Sequence, residues 1–332
     1  MTRFLITLLL LLCSLGNVYS QDIIVPRLST DTSTTRRSIV RPKAVPYDST
    51  KNWLGSQDVA SYVGETLYVN GRSESLRGYG YRDFYDVREP GTTINNHRWG
   101  HASEKSQFNT KYEDLVGKYF VVRNVQPDSK WSGQWWFYLQ NRDNIAEYVW
   151  YEYNGNHESD FPFVTVAYYE YLKKLIGTRY VLNYSLDDGV ISTRIHNTDY
   201  ETGERITERK EDRWECIDVI IDGTMNTIIA LLKNQEGAVS YVNASTLSNA
   251  AGGDNRYLGF KEEEFNRYVK KYGAGNMDTV RQGRFKMGWS QDLLLLSWGP
   301  PERINSSSHG PDQWVYSNQY IYIQNGKITA WN

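Results

Sequence analysis

Apolar and polar positions alternate with a period of two through the middle of the chain, and the pattern gives way to helical spacing only beyond residue 260. Gln134-Trp135-Trp136-Phe137-Tyr138-Leu139 and Glu147-Tyr148-Val149-Trp150-Tyr151-Glu152-Tyr153 flank the turn-forming stretch Asn141-Arg142-Asp143-Asn144, which predicts a β-hairpin. Trp135, Phe137 and Leu139 share one face of the first strand and Trp136 and Tyr138 share the other, so large rings project from both sides. One face is core, and the second needs cover. Trp214 to Ile221 alternates again and ends at the turn signal Asp222-Gly223; Thr227 to Leu232 and Ala238 to Val242 then predict a further hairpin across Gln235-Glu236-Gly237.

A short pattern recurs in the body: Tyr62-Val63-Gly64-Glu65-Thr66-Leu67-Tyr68-Val69, Leu115-Val116-Gly117-Lys118-Tyr119-Phe120-Val121-Val122 and Leu175-Ile176-Gly177-Thr178-Arg179-Tyr180-Val181-Leu182. A glycine just ahead of an alternating run suits a tight turn or bulge at the entry to a strand. The spacing predicts consecutive β modules at 52–110, 111–170 and 171–250, each a small barrel or sheet.

From about 251 to 332 the character changes. Phe265, Tyr268, Val269 and Tyr272 recur at helical spacing, with Glu262, Glu263 and Glu264 in the first turn and Lys270 and Lys271 in the last, as the helix dipole prefers. Ser290 is placed to cap a second helix through Leu293-Leu294-Leu295-Leu296, which Gly299-Pro300-Pro301 must end. Trp314-Val315-Tyr316, Tyr320-Ile321-Tyr322-Ile323 and Lys327-Ile328-Thr329-Ala330-Trp331 predict three strands, the last two joined at Asn325-Gly326. The fold class expected is therefore mainly β with an α+β end of two helices and three strands.

The order Met287-Gly288-Trp289-Ser290, Trp298-Gly299-Pro300-Pro301, Gln313-Trp314-Val315-Tyr316, Asn325-Gly326-Lys327-Ile328 resembles the SmpA/BamE-like domains of bacterial envelope proteins, which share their fold with the β-lactamase-inhibitory proteins. The likeness covers roughly residues 260 to 332. It implies a domain that acts by binding other proteins, in outer-membrane assembly or as an inhibitor, and it supplies no catalytic residues.

The amino terminus adds a destination. Arg3 precedes an apolar run from Phe4 to Leu12, and Val18-Tyr19-Ser20 sets small residues before Gln21, so 1–20 reads as a signal peptide and the product as exported to the periplasm, the cell envelope or the medium. Leu10-Leu11-Leu12 before Cys13 lacks the small residues of a lipid-attachment site. Residues 21–51, rich in Ser, Thr and Pro, read as a flexible linker, and no later run is long enough for a transmembrane segment. After cleavage Cys216 alone remains, in a strand-like setting that suits a buried thiol.

Composition narrows the function. The 332 residues carry 37 basic and 39 acidic side chains, a balance that offers no field for nucleic acid. Aromatic residues are in surplus, with 11 Trp, 26 Tyr and 10 Phe. Trp131, Trp135, Trp136 and Trp150 are the candidate binding residues, because flat apolar rings with polar edges serve protein interfaces and also stack on sugars. His97 and His101 stand four apart, the spacing that would reach one metal from a helix face, but Gly100 between them favours a loop. Asp187-Asp188-Gly189, Asp222-Gly223 and Asp254-Asn255 read first as turns. No nucleophile elbow, phosphate loop, His-Glu-x-x-His or dinucleotide fingerprint is present. The expectation is a non-enzymatic envelope protein without cofactor whose partner is another envelope protein. The rivals are a glycan-binding protein and a hydrolase with dispersed carboxylates or a histidine-held metal.

Overall fold

The computed structural model describes residues 47–51, 59–88, 97–154, 161–224, 227–248, 258–317 and 319–332. The stretch read as a signal peptide, most of the expected linker, and the expected Asp254-Asn255 turn lie outside the described residues.

The chain is β-rich, as its alternation predicts. Strands β1 (Thr66–Val69), β2 (Phe84–Tyr85), β3 (Tyr119–Pro127), β4 (Gln134–Asn141), β5 (Tyr148–Asn154) and β6 (Phe163–Thr165) form one antiparallel sheet in the order β2-β5-β4-β3-β1-β6. Short helices α1 (Glu74–Arg77) and α2 (Tyr112–Leu115) lie in its connections. Strands from 52–110 and from 111–170 thus share this sheet. The β4–β5 turn is made locally: Asn141 Oδ1 accepts the Asp143 and Asn144 N–H groups at 2.9 and 3.3 Å. The inner face buries Leu67, Phe120, Phe137, Leu139, Val149 and Tyr151, and Trp135 packs against them.

The second sheet takes β7 (Arg179–Leu182), skips a separate hairpin of β8 (Ser185–Asp187) and β9 (Val190–Ser192), and continues with β10 (Trp214–Asp222), β11 (Thr227–Lys233), β12 (Val239–Asn243) and β13 (Gly259–Lys261). Its order is β12-β11-β10-β7-β13. Helix α3 (Val166–Leu172) follows β6 and joins the two sheets into a common core. Tyr68 and Val164 of the first sheet, Tyr168, Tyr169 and Leu172 of α3, and Trp214, Val219 and Ile221 of the second belong to one buried cluster. The Tyr169 hydroxyl donates to the Val219 carbonyl at 2.9 Å. At another point the sheets meet backbone to backbone, since a Cβ on Gly71 would lie 2.5 Å from the Gly223 Cα.

The repeated glycines have one common role. Gly64, Gly117 and Gly177 have φ of 93°, 76° and 83°, the left-handed region glycine enters without strain. Each sits two residues ahead of a strand: β1, β3 or β7.

After helix α4 (Ala244–Ser248), the C-terminal part contains α5 (Glu262–Tyr272), α6 (Ala274–Arg281) and α7 (Gln291–Trp298), packed on the sheet β14 (Arg303–Asn305), β15 (Asp312–Tyr316), β16 (Gln319–Gln324) and β17 (Lys327–Trp331). This part therefore has three helices and four strands where two and three were expected. Gly273, with φ of 86°, breaks the helical run and lets α6 start afresh, while β14 is exposed throughout and has no alternation to betray it. Asn325 and Gly326 have φ of 51° and 71°, as a two-residue hairpin turn requires. Ser290 occupies the cap position of α7, but its side chain makes no capping bond; its carbonyl accepts from the Leu293 and Leu294 N–H groups instead.

Candidate functional site

The β4–β5 ladder sorts the predicted tryptophans onto opposite faces. Its register sets Gln134 opposite Asn154, Trp136 opposite Glu152, Tyr138 opposite Trp150 and Gln140 opposite Tyr148, all on the outer face of the first sheet. Trp135, one position out of phase, points into the core. The four cross-strand pairs span about 20 Å at the usual rise per residue.

The outer rings form a row. Tyr138 and Tyr148 stack with centroids 5.0 Å apart and planes 2° from parallel, and Tyr138 lies 4.7 Å from Trp150. Such stacking covers ring faces with other ring faces and leaves edges toward solvent. Gln140 Nε2 donates to the Tyr148 hydroxyl at 2.7 Å, tying the polar tip of the row to the sheet. Burial, then the neighbouring Tyr148, raises the Tyr138 phenol above its ordinary range.

Farther along, Trp136 is buried and meets the Tyr85 ring at 5.6 Å. The loop between β3 and β4 folds over it. Asp128 Oδ2 accepts the Trp136 indole N–H at 2.6 Å, and Oδ1 accepts the N–H groups of Lys130 and Trp131 at 2.6 and 2.9 Å. Burial alone would raise the Asp128 carboxyl; the three hydrogen bonds outweigh it and hold the carboxyl below its usual range. The same turn presents Trp131 to solvent with 65% of its surface exposed. Glu152 sits beside these rings. Burial first, then the carboxylates of Asp83 and Asp128, push its pKa from 4.5 to about 6, while a hydrogen bond from Tyr85 opposes the shift.

The four candidate tryptophans therefore divide three ways: Trp135 faces inward, Trp136 and Trp150 lie in the outer row, and Trp131 stands free at its end. Tyr138, Tyr148 and Asp128 belong to the same surface without having been singled out. The two tyrosines were detectable from their alternation with Trp136 and Trp150; Asp128 was not, because its role depends on a loop folding back.

His97 and His101 are not brought to a common ligand. His97 Nδ1 lies 3.7 Å from Asp86, and His101 Nδ1 lies 3.0 Å from Asp114. Gly100, with φ of 68°, turns the chain between them, so the helical face that would have aligned the imidazoles does not form. Among the described residues no three His, Cys, Asp or Glu side chains gather as a metal-ligand set, and no helix is long and apolar enough to cross a membrane.

A second feature is a cleft of about 980 Å³ between the β8–β9 hairpin and the α6–α7 region, lined among others by Tyr184, Thr193, Arg281, Trp298, Pro300 and Tyr316. No protein-family model, curated protein or solved structure matches the chain.

Proposed function

We propose that the protein is a non-catalytic binding protein of the bacterial cell envelope, exported by its amino-terminal signal, and that the outer aromatic face of the first sheet contacts another protein. The observation that carries this reading is Trp131, 65% exposed on the Asp128 turn that leads into β4, whose outer face carries Tyr138 stacked on Tyr148 and tilted against Trp150. A large exposed indole beside half-buried rings is the composition of an interface anchor. The SmpA/BamE-like resemblance of the C-terminal motifs, whose family members bind proteins, points the same way. A glycan would need open ring faces to stack upon, and the central Tyr138 ring lies between Tyr148 and Trp150, so a protein partner is the better fit.

The test places a photoreactive amino acid at position 131, at position 148 on the same face, and at Ile217 in the second sheet, in cells that make the protein. One partner cross-linked from 131 and 148 but not from 217 supports the reading. Cross-links from none of the three, with glycan binding lost on Trp150→Ala, would replace it with the sugar-binding alternative.

A further inference from the structure

The cleft beside α6 contains a buried cation whose charge no carboxylate contacts. Arg281 is 6% exposed. Its Nε and Nη2 donate to the Leu182 carbonyl at 2.9 and 2.7 Å, and Nη1 donates to the Lys210 carbonyl at 2.8 Å. A guanidinium has five N–H groups, so one remains on each terminal nitrogen, the pair that can grip two oxygens at once. Among the described residues Arg281 forms no ion pair, and its ring neighbours, Tyr184 at 4.9 Å and Phe265 at 5.8 Å, screen the charge without neutralising it. A guanidinium stays charged when buried, so an unpaired one is costly.

The acidic groups nearby favour its charge through space without touching it: Asp278 and Glu211 both act on Arg281, and neither forms an ion pair with it. Asp278 accepts from the Tyr184 hydroxyl at 2.7 Å and from Gln282 Nε2 at 3.2 Å. Glu302, at the rim, accepts from the Ser317 hydroxyl at 2.9 Å, and Glu208 accepts the Thr193 N–H. A second and independent observation comes from Thr193, which lines the same cleft: its Oγ1, buried just beneath the cleft wall, has no hydrogen-bond partner among the described residues. Buried hydroxyls are seldom left in that state without a missing ligand or water.

Trp298, Tyr316, Pro300 and Pro301 also line the cleft. The Trp298 indole N–H donates to the Gly283 carbonyl at 2.7 Å and the Tyr316 hydroxyl to the Gly299 carbonyl at 2.8 Å. Their polar tips are thus committed to backbone, and what these rings, with Pro300 and Pro301, offer the cleft is hydrocarbon surface.

We infer that this cleft binds a small organic anion, with a carboxylate or phosphate held by Arg281 and Thr193 and an apolar body against Trp298 and Tyr316. The site is separate from the outer aromatic face and stands or falls independently of it. Its volume falls within the range of small-ligand sites.

Ligand-observed NMR on the full chain tests it with benzoate and phenyl phosphate, which distinguish the two headgroups. Benzyl alcohol serves as the uncharged match and inorganic phosphate as the anion without a ring. At least one of the two aromatic anions binds at millimolar concentration, about tenfold more tightly than benzyl alcohol and than inorganic phosphate. Thr193→Val, which keeps the shape and removes the hydroxyl, weakens that binding, and Arg281→Lys weakens it by about tenfold or more because the fork is lost. Should Arg281→Lys fail to fold by circular dichroism, Thr193→Val decides alone. Equal binding of benzyl alcohol, unchanged binding in the folded variants, or no binding of either aromatic anion overturns the inference.

Discussion

Asp128 accepts the indole N–H of Trp136 at 2.6 Å across the mouth of the β3–β4 turn. One carboxylate thereby closes the loop, covers a buried ring and sets Trp131 outward. The folded state holds the Asp128 carboxyl below its usual range, so its contribution is present at neutral pH and is lost as pH falls through the lowered value. Asp128→Ala should cost about 1–2 kcal/mol at pH 7, allowing for its partial exposure. Thermal melts at stepwise lower pH should bring variant and wild type together.

Trp131 and Trp136 are five residues apart in sequence and opposite in consequence. Trp136 is 2% exposed, and Trp136→Ala should destabilise by about 3–5 kcal/mol. Trp131→Ala should change stability by no more than about 0.5 kcal/mol while reducing partner capture. Denaturant titration of the two variants side by side measures the contrast.

Glu152 gives a pH effect of the other sign. Its pKa is raised to about 6 from 4.5, so the folded chain holds this proton more tightly than the unfolded chain. Stability from this group is full below the unfolded value, falls between the two, and is lowest above about 6. Glu152→Gln should therefore raise stability by about 1 kcal/mol at pH 7, discounted for solvent screening, and leave it nearly unchanged at pH 4. Melting curves at the two pH values read this directly.

Burial, then the neighbouring Asp218 carboxylate, pushes the Cys216 thiol up to about 12. It should resist alkylation by iodoacetamide in the native protein and react at once in denaturant, as peptide mass spectrometry would record. Rapid native labelling would mean that the second sheet opens around its central strand, β10.

The parts of the fold legible in sequence are those whose cause is local. The β4–β5 hairpin follows from alternation and the Asn141 turn, the β16–β17 turn from Asn325-Gly326, and α5 from its apolar spacing and terminal charges. Less legible are pairings between distant segments. Neither β13 joining β7 across the expected boundary at 250, nor β6 returning to β1, has a local signal, because a three-residue strand buried by its neighbours carries no period of its own. The candidate surface was half legible for the same reason. Alternation set Trp136 and Tyr138 apart from Trp135, and the strand register then brought Trp150 to their face, whereas the cleft joins Tyr184 and Thr193 to Arg281, Trp298 and Tyr316, and only the folded chain assembles it.

Tyr169, reaching from α3 to the Val219 carbonyl, makes the two large sheets thermodynamic dependents of each other. Calorimetry should find one endotherm for both. Expression fragments cut after residue 176, just past α3, would lose the second-sheet side chains that bury Tyr168, Tyr169 and Leu172, and should be recovered from inclusion bodies instead of the soluble fraction.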